Sequence, residues 1–419
     1  MRNVCVTGLG FATCLGLERQ SVASNLRELN HGIRPYSEGY RGDAPIHVAA
    51  PVPGFEIIGE DAEDWVYPEG LHFRIDQLRC LSPNVLYAVH AFEKALTDAG
   101  LTHEQIRNPE TGMFTASAGS AKMNHFHLEQ MKRLGPSRAK PMGMISSIAG
   151  TLSFNLVARY GIQGASTGFV SACASSAHAI GAAYDAVALG RQDRVIVVGA
   201  EDFTPETVLP FATMRVLSLN TDPNTASRPF DKKRDGFVAT GGSVVMVIEA
   251  EDVARKRGAE IKARIAGWGQ ATDGHHVAIP HPEGAGLSRA MKQALEMSTV
   301  KTADVNYINA HATSTVMGDA VECKAIKSVF GCRDDLAVSS TKALTGHALS
   351  LAGVMEASFV CLGMKEGFTP GAAHIDDPDE ETEGLFFPKE SLPEAPLVAI
   401  SNSSGFGGAN VSIVFKSAD

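Results

Sequence analysis

A cysteine and two histidines stand where they could do covalent chemistry. Cys173 lies in Val170-Ser-Ala-Cys-Ala-Ser-Ser-Ala-His178, where an extended segment, Gly168-Phe-Val-Ser171, gives way to a helix-length run of small residues, Ala174–Leu189. A thiol at a strand-to-helix junction meets the free N–H groups of the first helical turn, which favour thiolate and can move a cysteine from about 8.5 into roughly the 3.5–7.5 range. The same N–H groups can hold an oxyanion. His311 follows the apolar run Val305–Ile308 within Asn309-Ala-His-Ala-Thr313-Ser-Thr315, and His347 closes Thr341-Lys342-Ala-Leu-Thr-Gly-His. Each histidine ends a strand-like segment among Gly, Ser and Thr, so each imidazole is expected to be exposed at a turn rather than lost in a core. One nucleophile with two imidazoles suits a covalent intermediate formed and resolved by proton donors.

Three other motifs carry less. Gly8-Leu-Gly10 follows the first strand-like run but lacks the third glycine, and the acidic residue about 20 positions on, of a dinucleotide fingerprint; a tight turn is expected there. Gly164-Ala-Ser166-Thr-Gly168 matches the hydrolase elbow by letter, yet no strand enters Ser166 and no helix leaves it. His275, His276 and His281 crowd Pro280 and Pro282 without a spaced carboxylate or cysteine, so no metal site is expected. The seven cysteines include no Cys-x-x-Cys pair, which points to a reduced, cytoplasmic protein.

The elements that must carry these residues alternate. Val4–Thr7, Met113–Ala116, Arg194–Val198 and Val244–Glu249 read as strands, and Asn84–Ala99 and Ala174–Leu189 as helices, an α/β pattern. The approach to His347 repeats the approach to Cys173: a Ser/Gly-rich segment, a reactive side chain, then a small-residue helix, here Ala348–Met364. Two such helices suggest a duplicated core in which they pack closely face to face. We place the boundary between halves at 1–255 and 256–419. With 37 basic against 47 acidic residues and a net charge of −10, nucleic acid is not expected as the main partner. Apolar runs such as Val195–Val198 are strand-length, far short of the roughly 20 residues of a membrane span, and no secretory signal opens the chain. The acidic run Asp376-Asp-Pro-Asp-Glu-Glu is expected to be a solvated loop.

With Val4-Cys-Val-Thr-Gly-Leu-Gly10, the Cys173 motif, Arg234-Asp-Gly-Phe-Val, both histidine motifs and Gly405-Phe-Gly-Gly-Ala-Asn410, the chain resembles the β-ketoacyl-acyl-carrier-protein synthases of the Cys-His-His elongating type over nearly its whole length. That resemblance implies a thiolase-like duplicated α/β fold, a five-layered αβαβα sandwich, and a homodimer. It implies decarboxylative condensation of an acyl group on Cys173 with malonyl-carrier protein. His311 and His347 would stabilise the enolate, and the N–H groups of Cys173 and Phe406 would form the oxyanion hole. Lys342 would order the site, with Glu322 as its acidic partner. Thr313 and Thr315 would bind the pantetheine arm, Phe406 would gate the channel, and Ala118 would line the acyl pocket. No cofactor is implied, since phosphopantetheine arrives on the carrier.

Letters separate the variants. Degradative thiolases carry a second cysteine near the C-terminus, whereas the last one here is Cys361; initiating synthases carry Asn where this chain has His347. Ser175-Ser-Ala-His178 and Ala239-Thr-Gly-Gly-Ser look closer to type I than type II enzymes, with His178 structural. Ala312, where the family generally has Gly, leaves open a specialised polyketide or polyene ketosynthase, paired with a chain-length factor as a heterodimer. A non-enzymatic partner subunit is disfavoured because Cys173, His311 and His347 are all retained. Carrier protein is acidic, so a basic dock is expected at Lys132, Arg133, Arg138 and Lys140, with Arg79 at a family docking position and Asp76 an acidic departure beside it.

Overall fold

A computed structural model describes residues 1–36 and 46–418. Its principal strands are Val4–Ala12 (β1), Thr111–Ala116 (β2), Ser166–Phe169 (β3), Arg194–Glu201 (β4), Gly242–Ala250 (β5), Ala263–Thr272 (β6), Tyr307–Asn309 (β7), Arg333–Ser339 (β8), Val398–Gly405 (β9) and Ala409–Ser417 (β10). These ten strands lie in the order β8-β7-β9-β10-β6-β1-β5-β4-β2-β3, symmetric about the β6–β1 pair, and a short eleventh strand, Leu385–Phe386, is added outside β8. Each half therefore repeats one topology, third-second-fourth-fifth-first. In each, the second strand pairs parallel with the third and fourth, and the fifth runs antiparallel to the fourth and first. The duplication expected from two similar approaches to a reactive side chain is a property of the whole sheet.

Five layers follow from which faces are buried. Helices Pro83–Ala99 (α1), Ala121–Leu134 (α2) and Thr151–Tyr160 (α3) belong to the first half, followed by the central Ser175–Ala188 (α4). The second half contributes Ala285–Ser298 (α5), Val316–Phe330 (α6) and Ala352–Glu366 (α7). Val195 and Val197 of β4 face a core shared with α4 and α7, while Ile196 and Val198 face a second core with α1 and α3. On β10, Val411, Ile413 and Phe415 join the central core and Val414 a third one under α5 and α6. Strands buried on both faces read as continuous apolar runs, which is why Val195–Val198 shows no alternation. The central helices meet where the Ser176 hydroxyl accepts the Val354 N–H at 2.9 Å.

The tight turn expected at Gly8-Leu-Gly10 is not there. β1 runs through both glycines to Ala12, and a Cβ on Gly10 would collide with the Ala91 carbonyl of α1. Gly269 of β6 stands in the same relation to Ala290 of α5. The glycines admit a close helix, and the first half's close contact recurs in the second. No described helix is long and apolar enough to cross a membrane.

Candidate active site

The site forms where the two halves present equivalent ends. Cys173 sits between β3 and α4, two residues before the first helical residue, and Ala172 before it adopts a left-handed φ of 50°. A non-glycine residue rarely adopts that conformation, so its surroundings must hold it. They do: the Ser175 hydroxyl accepts the Ser171 N–H at 2.8 Å and donates to the Ala172 carbonyl at 2.6 Å. His178 Nδ1 meets the Ser171 hydroxyl at 2.8 Å, which makes that histidine part of the brace. On the other half, β8 leads to Lys342 and His347, just ahead of α7.

His347 Nε2 lies 3.1 Å from Cys173 Sγ. The His311 and His347 rings are edge to face with centroids 5.3 Å apart, and Phe237 stands edge-on to His347 at 5.3 Å. Lys342, 1% exposed, places its ammonium 3.4 Å from His311 Nδ1 and in an ion pair with Glu356. An ammonium has no lone pair, so Nδ1 must face it bare and the His311 proton sits on Nε2. Both imidazoles are buried, not exposed as their turn settings suggest, and burial with the Lys342 charge added holds them well below the usual imidazole range, so both are neutral. Glu356 is pushed up to about 7 by burial, against the pull of Lys342.

Two expectations are corrected here. Glu322 is not the ion-pair partner of Lys342; it accepts the N–H groups of His311 at 2.9 Å and Ala312 at 2.6 Å, fixing the turn that carries the histidine. The partner is Glu356, which sequence reading missed. The available signal was a single carboxylate within the otherwise apolar stretch Ala352–Met364. Second, burial pushes the Cys173 thiol up to about 12, with Lys342 acting against it. Burial thus favours the thiol as the resting form of the nucleophile. Its alkylation rate is therefore expected to rise about tenfold per pH unit between about pH 6 and 9 without a plateau. A plateau near neutrality in an iodoacetamide inactivation profile would show a standing thiolate instead.

A cavity of about 370 Å³ opens onto Cys173, His311 and His347 and is lined otherwise by Ala312, Thr313, Thr315, Phe406 and apolar side chains such as Phe211 and Leu287. Phe406 is 39% exposed. Its neighbour Gly405 packs so close that a Cβ would come within 3.0 Å of the Cys173 nitrogen, so the β9–β10 turn and the nucleophile's N–H share one space. Asp273 ties this turn down, accepting from Asn410 Nδ2 at 2.9 Å and donating its N–H to the Gly408 carbonyl at 2.9 Å. Ala118 is exposed at the end of β2 and does not line this cavity. The histidines of the 275–281 loop serve turns: His276 Nδ1 accepts the N–H groups of Ala278 and Ile279, both at 3.1 Å.

The Thr313–Thr315 turn is held from behind. Ser314 adopts a left-handed φ of 69°, its hydroxyl accepts the Arg228 N–H at 3.0 Å, and the two threonine hydroxyls meet at 3.1 Å. Arg234, 4% exposed, donates to the Thr315 carbonyl at 3.1 Å, the Val316 carbonyl at 2.6 Å and Asp379 at 2.5 Å. Asp376 pairs with Arg228 at 3.0 Å and Asp377 with Lys232 at 3.5 Å. The acidic run is the largely solvent-exposed loop the sequence suggests, and its carboxylates also pair with the basic segment behind the site. Arg234→Ala is expected to raise KM for pantetheine thioesters by about tenfold while kcat falls less than about threefold, since the turn loses position but the reacting groups do not. Steady-state kinetics on a small pantetheine thioester checks this.

The basic residues expected to dock a carrier are exposed, but two are already paired: Lys132 with Glu129 at 2.7 Å and Lys140 with Asp61. Asp76 pairs with Arg74 at 2.6 Å, leaving Arg79 exposed beside it.

A duplicated five-layered sandwich with a cysteine and two neutral histidines around one apolar cavity defines a thiolase-like condensing acyltransferase. The chain belongs to the beta-ketoacyl synthase family, whose N-terminal domain matches residues 1–254 and C-terminal domain residues 262–376. It is 36% identical over 423 residues to 3-oxoacyl-[acyl-carrier-protein] synthase 1 of Haemophilus influenzae, covering 99% of each chain. Among solved structures, a beta-ketoacyl synthase from Burkholderia phymatum superposes with a TM-score of 0.91 at 30% identity, covering 100% of both chains. The ishigamide ketosynthase/chain length factor superposes with a TM-score of 0.88 at 26% identity, also over 100% of both.

Proposed function

We propose that this chain extends acyl groups by decarboxylative condensation with malonyl-acyl-carrier protein, giving β-ketoacyl-carrier protein and CO2 in fatty acid chain elongation. The observation that carries the reading is the 3.1 Å contact between Cys173 and His347 on a cavity shared with His311. Cys173 attacks the acyl thioester, and its proton leaves with the carrier thiol. The N–H groups of Cys173 and Phe406 support the oxyanion. In the second stage the malonyl carboxylate departs as CO2, and charge gathers on the thioester oxygen, to which His311 Nε2–H and His347 donate. Neutral donors suit this step, because an imidazolium would hold the carboxylate back as an ion pair. The carbanion attacks the acyl carbon, and the Cys173 sulfur leaves and takes up one proton from solvent. Lys342 orders the histidines, and Thr313 and Thr315 receive the amides of the pantetheine arm.

The reading asks for no resident cofactor or metal and places the protein in the cytoplasm, where its cysteines stay reduced. A dimer through β3 suits the fold. That strand ends the sheet with no described partner on its outer edge, and Phe154 and Val170 near it are 47% and 71% exposed. Unpaired strand edges are seldom left open. Likeness to a ketosynthase/chain length factor favours a second reading, a specialised ketosynthase with such a partner. Intact-mass spectrometry with a panel of acyl-carrier proteins, followed by malonyl-carrier protein, tests both. Acyl adducts on Cys173 that turn over to β-keto products support the first reading. Adducts that extend only once a partner subunit is added support the second, and no adduct with any donor overturns both.

A further inference from the structure

We infer that Glu201 is a positioning residue for His347: its buried carboxyl holds the turn that follows the histidine and so fixes where the imidazole points. This rests on the reaction proposed above, in which that imidazole donates to the thioester oxygen. His347 lacks the support that His311 has. His311 Nδ1 faces Lys342, whereas His347 Nδ1 is buried with no hydrogen-bond partner among the described residues. Its ring is therefore aimed by its backbone and by packing on Phe237. The chain up to His347 is anchored, since its N–H donates to the Val238 carbonyl at 2.7 Å and its carbonyl accepts the Thr240 N–H at 3.4 Å. The turn after it, Leu349–Leu351, opens on Leu349 at a left-handed φ of 51°. A bulky side chain stays in that conformation only where its surroundings hold it.

Glu201 supplies that hold. It is the last residue of β4 and is buried, and the buried Ser350 donates its hydroxyl to the carboxyl. The N–H groups of Ser350 and Ala118 bear on the same carboxyl. Two residues earlier, on the same face of β4, Gly199 lets the turn come close. A Cβ there would fall 2.5 Å from Val354 Cγ1 and 3.3 Å from Leu351 Cδ1. A strand of the first half thus ends against the turn of the second half that carries His347. Burial, with Asp202 adding to it, pushes the Glu201 carboxyl up to about 8, so at neutral pH it is an uncharged acid and holds the turn without stranding an ion. Asp202 itself serves other elements: it accepts the Asn84 N–H at 2.7 Å at the start of α1 and the Ser120 hydroxyl ahead of α2. Of the two adjacent carboxyls, Glu201 is the one bonded to the catalytic turn.

The test separates the two chemical stages. Ser350→Ala and Glu201→Ala are each expected to lower kcat for decarboxylation of a malonyl thioester by about tenfold. KM and the rate of Cys173 acylation should change by less than about threefold, because acylation relies on the thiol and its oxyanion donors. The double variant should be no slower than the worse single one, since both remove the same hydrogen bond. Glu201→Gln, which keeps a neutral acceptor of the same size, should restore the rate to within about twofold of wild type. Ser350→Ala deletes a single oxygen, so it decides the matter even if Glu201→Ala does not fold. A lower melting temperature with unchanged decarboxylation, or an equal loss in both stages, would make the pair a structural contact and overturn the assignment. A glutamine variant as slow as the alanine one would overturn it too. Should the unmodified enzyme release no CO2 from malonyl thioesters, the proposed reaction itself fails. Should it do so while both alanine variants keep pace with it, only the role of Glu201 fails.

Discussion

Cys173→Ala is expected to abolish condensation, lowering turnover by at least about 10⁴-fold, while the malonyl thioester continues to lose CO2. The two halves of the reaction use different atoms. Acyl transfer needs a sulfur that can be acylated, and of the seven cysteines Cys173 alone lines the cavity. Decarboxylation needs donors at the thioester oxygen; Glu322 and Lys342 place His311, and His347 packs against Phe237 as well as meeting the thiol. Alanine removes one atom from a half-buried side chain, so the fold and the histidine pair should survive. Cys173→Ser is expected to fail nearly as completely, because burial that pushes a thiol up to about 12 penalises an alkoxide more. Product mass and CO2 release measured together decide it. β-Keto product from the alanine variant would remove Cys173 from the mechanism, and loss of both products would show that the thiol also supports the histidine site.

What the sequence made legible was chemistry held by short spacing. Cys173, His311 and His347 each announce a turn within a few residues, and the small-residue helices after Cys173 and His347 carry the repeat that organises the sheet. Contacts closed over long separations were not legible. Lys342 and Glu356 meet only because a turn and α7 fold onto each other, and nothing in the spacing separates Glu356 from Glu322 as the partner. The acidic run after Ile375 is exposed, as its composition suggests, but its pairing with Arg228, Lys232 and Arg234, about 145 residues earlier, exists only in the fold. Gly8 and Gly10 misled for a related reason: a glycine that admits a neighbouring helix and one that makes a turn are the same letter. The Cys173 setting was read from the helix end alone, and the burial that pushes its thiol up is displayed by no local pattern.

Lys342→Ala is expected to lower condensation by about 10²–10³-fold and to move the acid limb of the pH–rate profile upward. The sign follows from the charges around the histidines. Burial and Lys342 hold both histidines well below the usual imidazole range, so the wild-type site stays neutral and active as pH falls through 6.5. Without the ammonium that repulsion is gone, both imidazoles become easier to protonate, and the variant loses activity at a higher pH. The His311 tautomer is also released, since nothing then obliges Nδ1 to remain bare. A fold effect must be separated from these. Removing one partner of a buried ion pair costs about 3–5 kcal/mol when the other charge is stranded. Glu356, already raised to about 7 beside the lysine, escapes part of that cost by taking a proton. The double variant Lys342→Met/Glu356→Gln removes the charge problem while keeping the volume. It should recover most of the melting temperature but none of the lost rate or the displaced acid limb. If restoring stability also restored the rate, Lys342 would be a structural ion-pair partner; if neither variant shifted the acid limb, the histidines would owe their neutrality to burial alone.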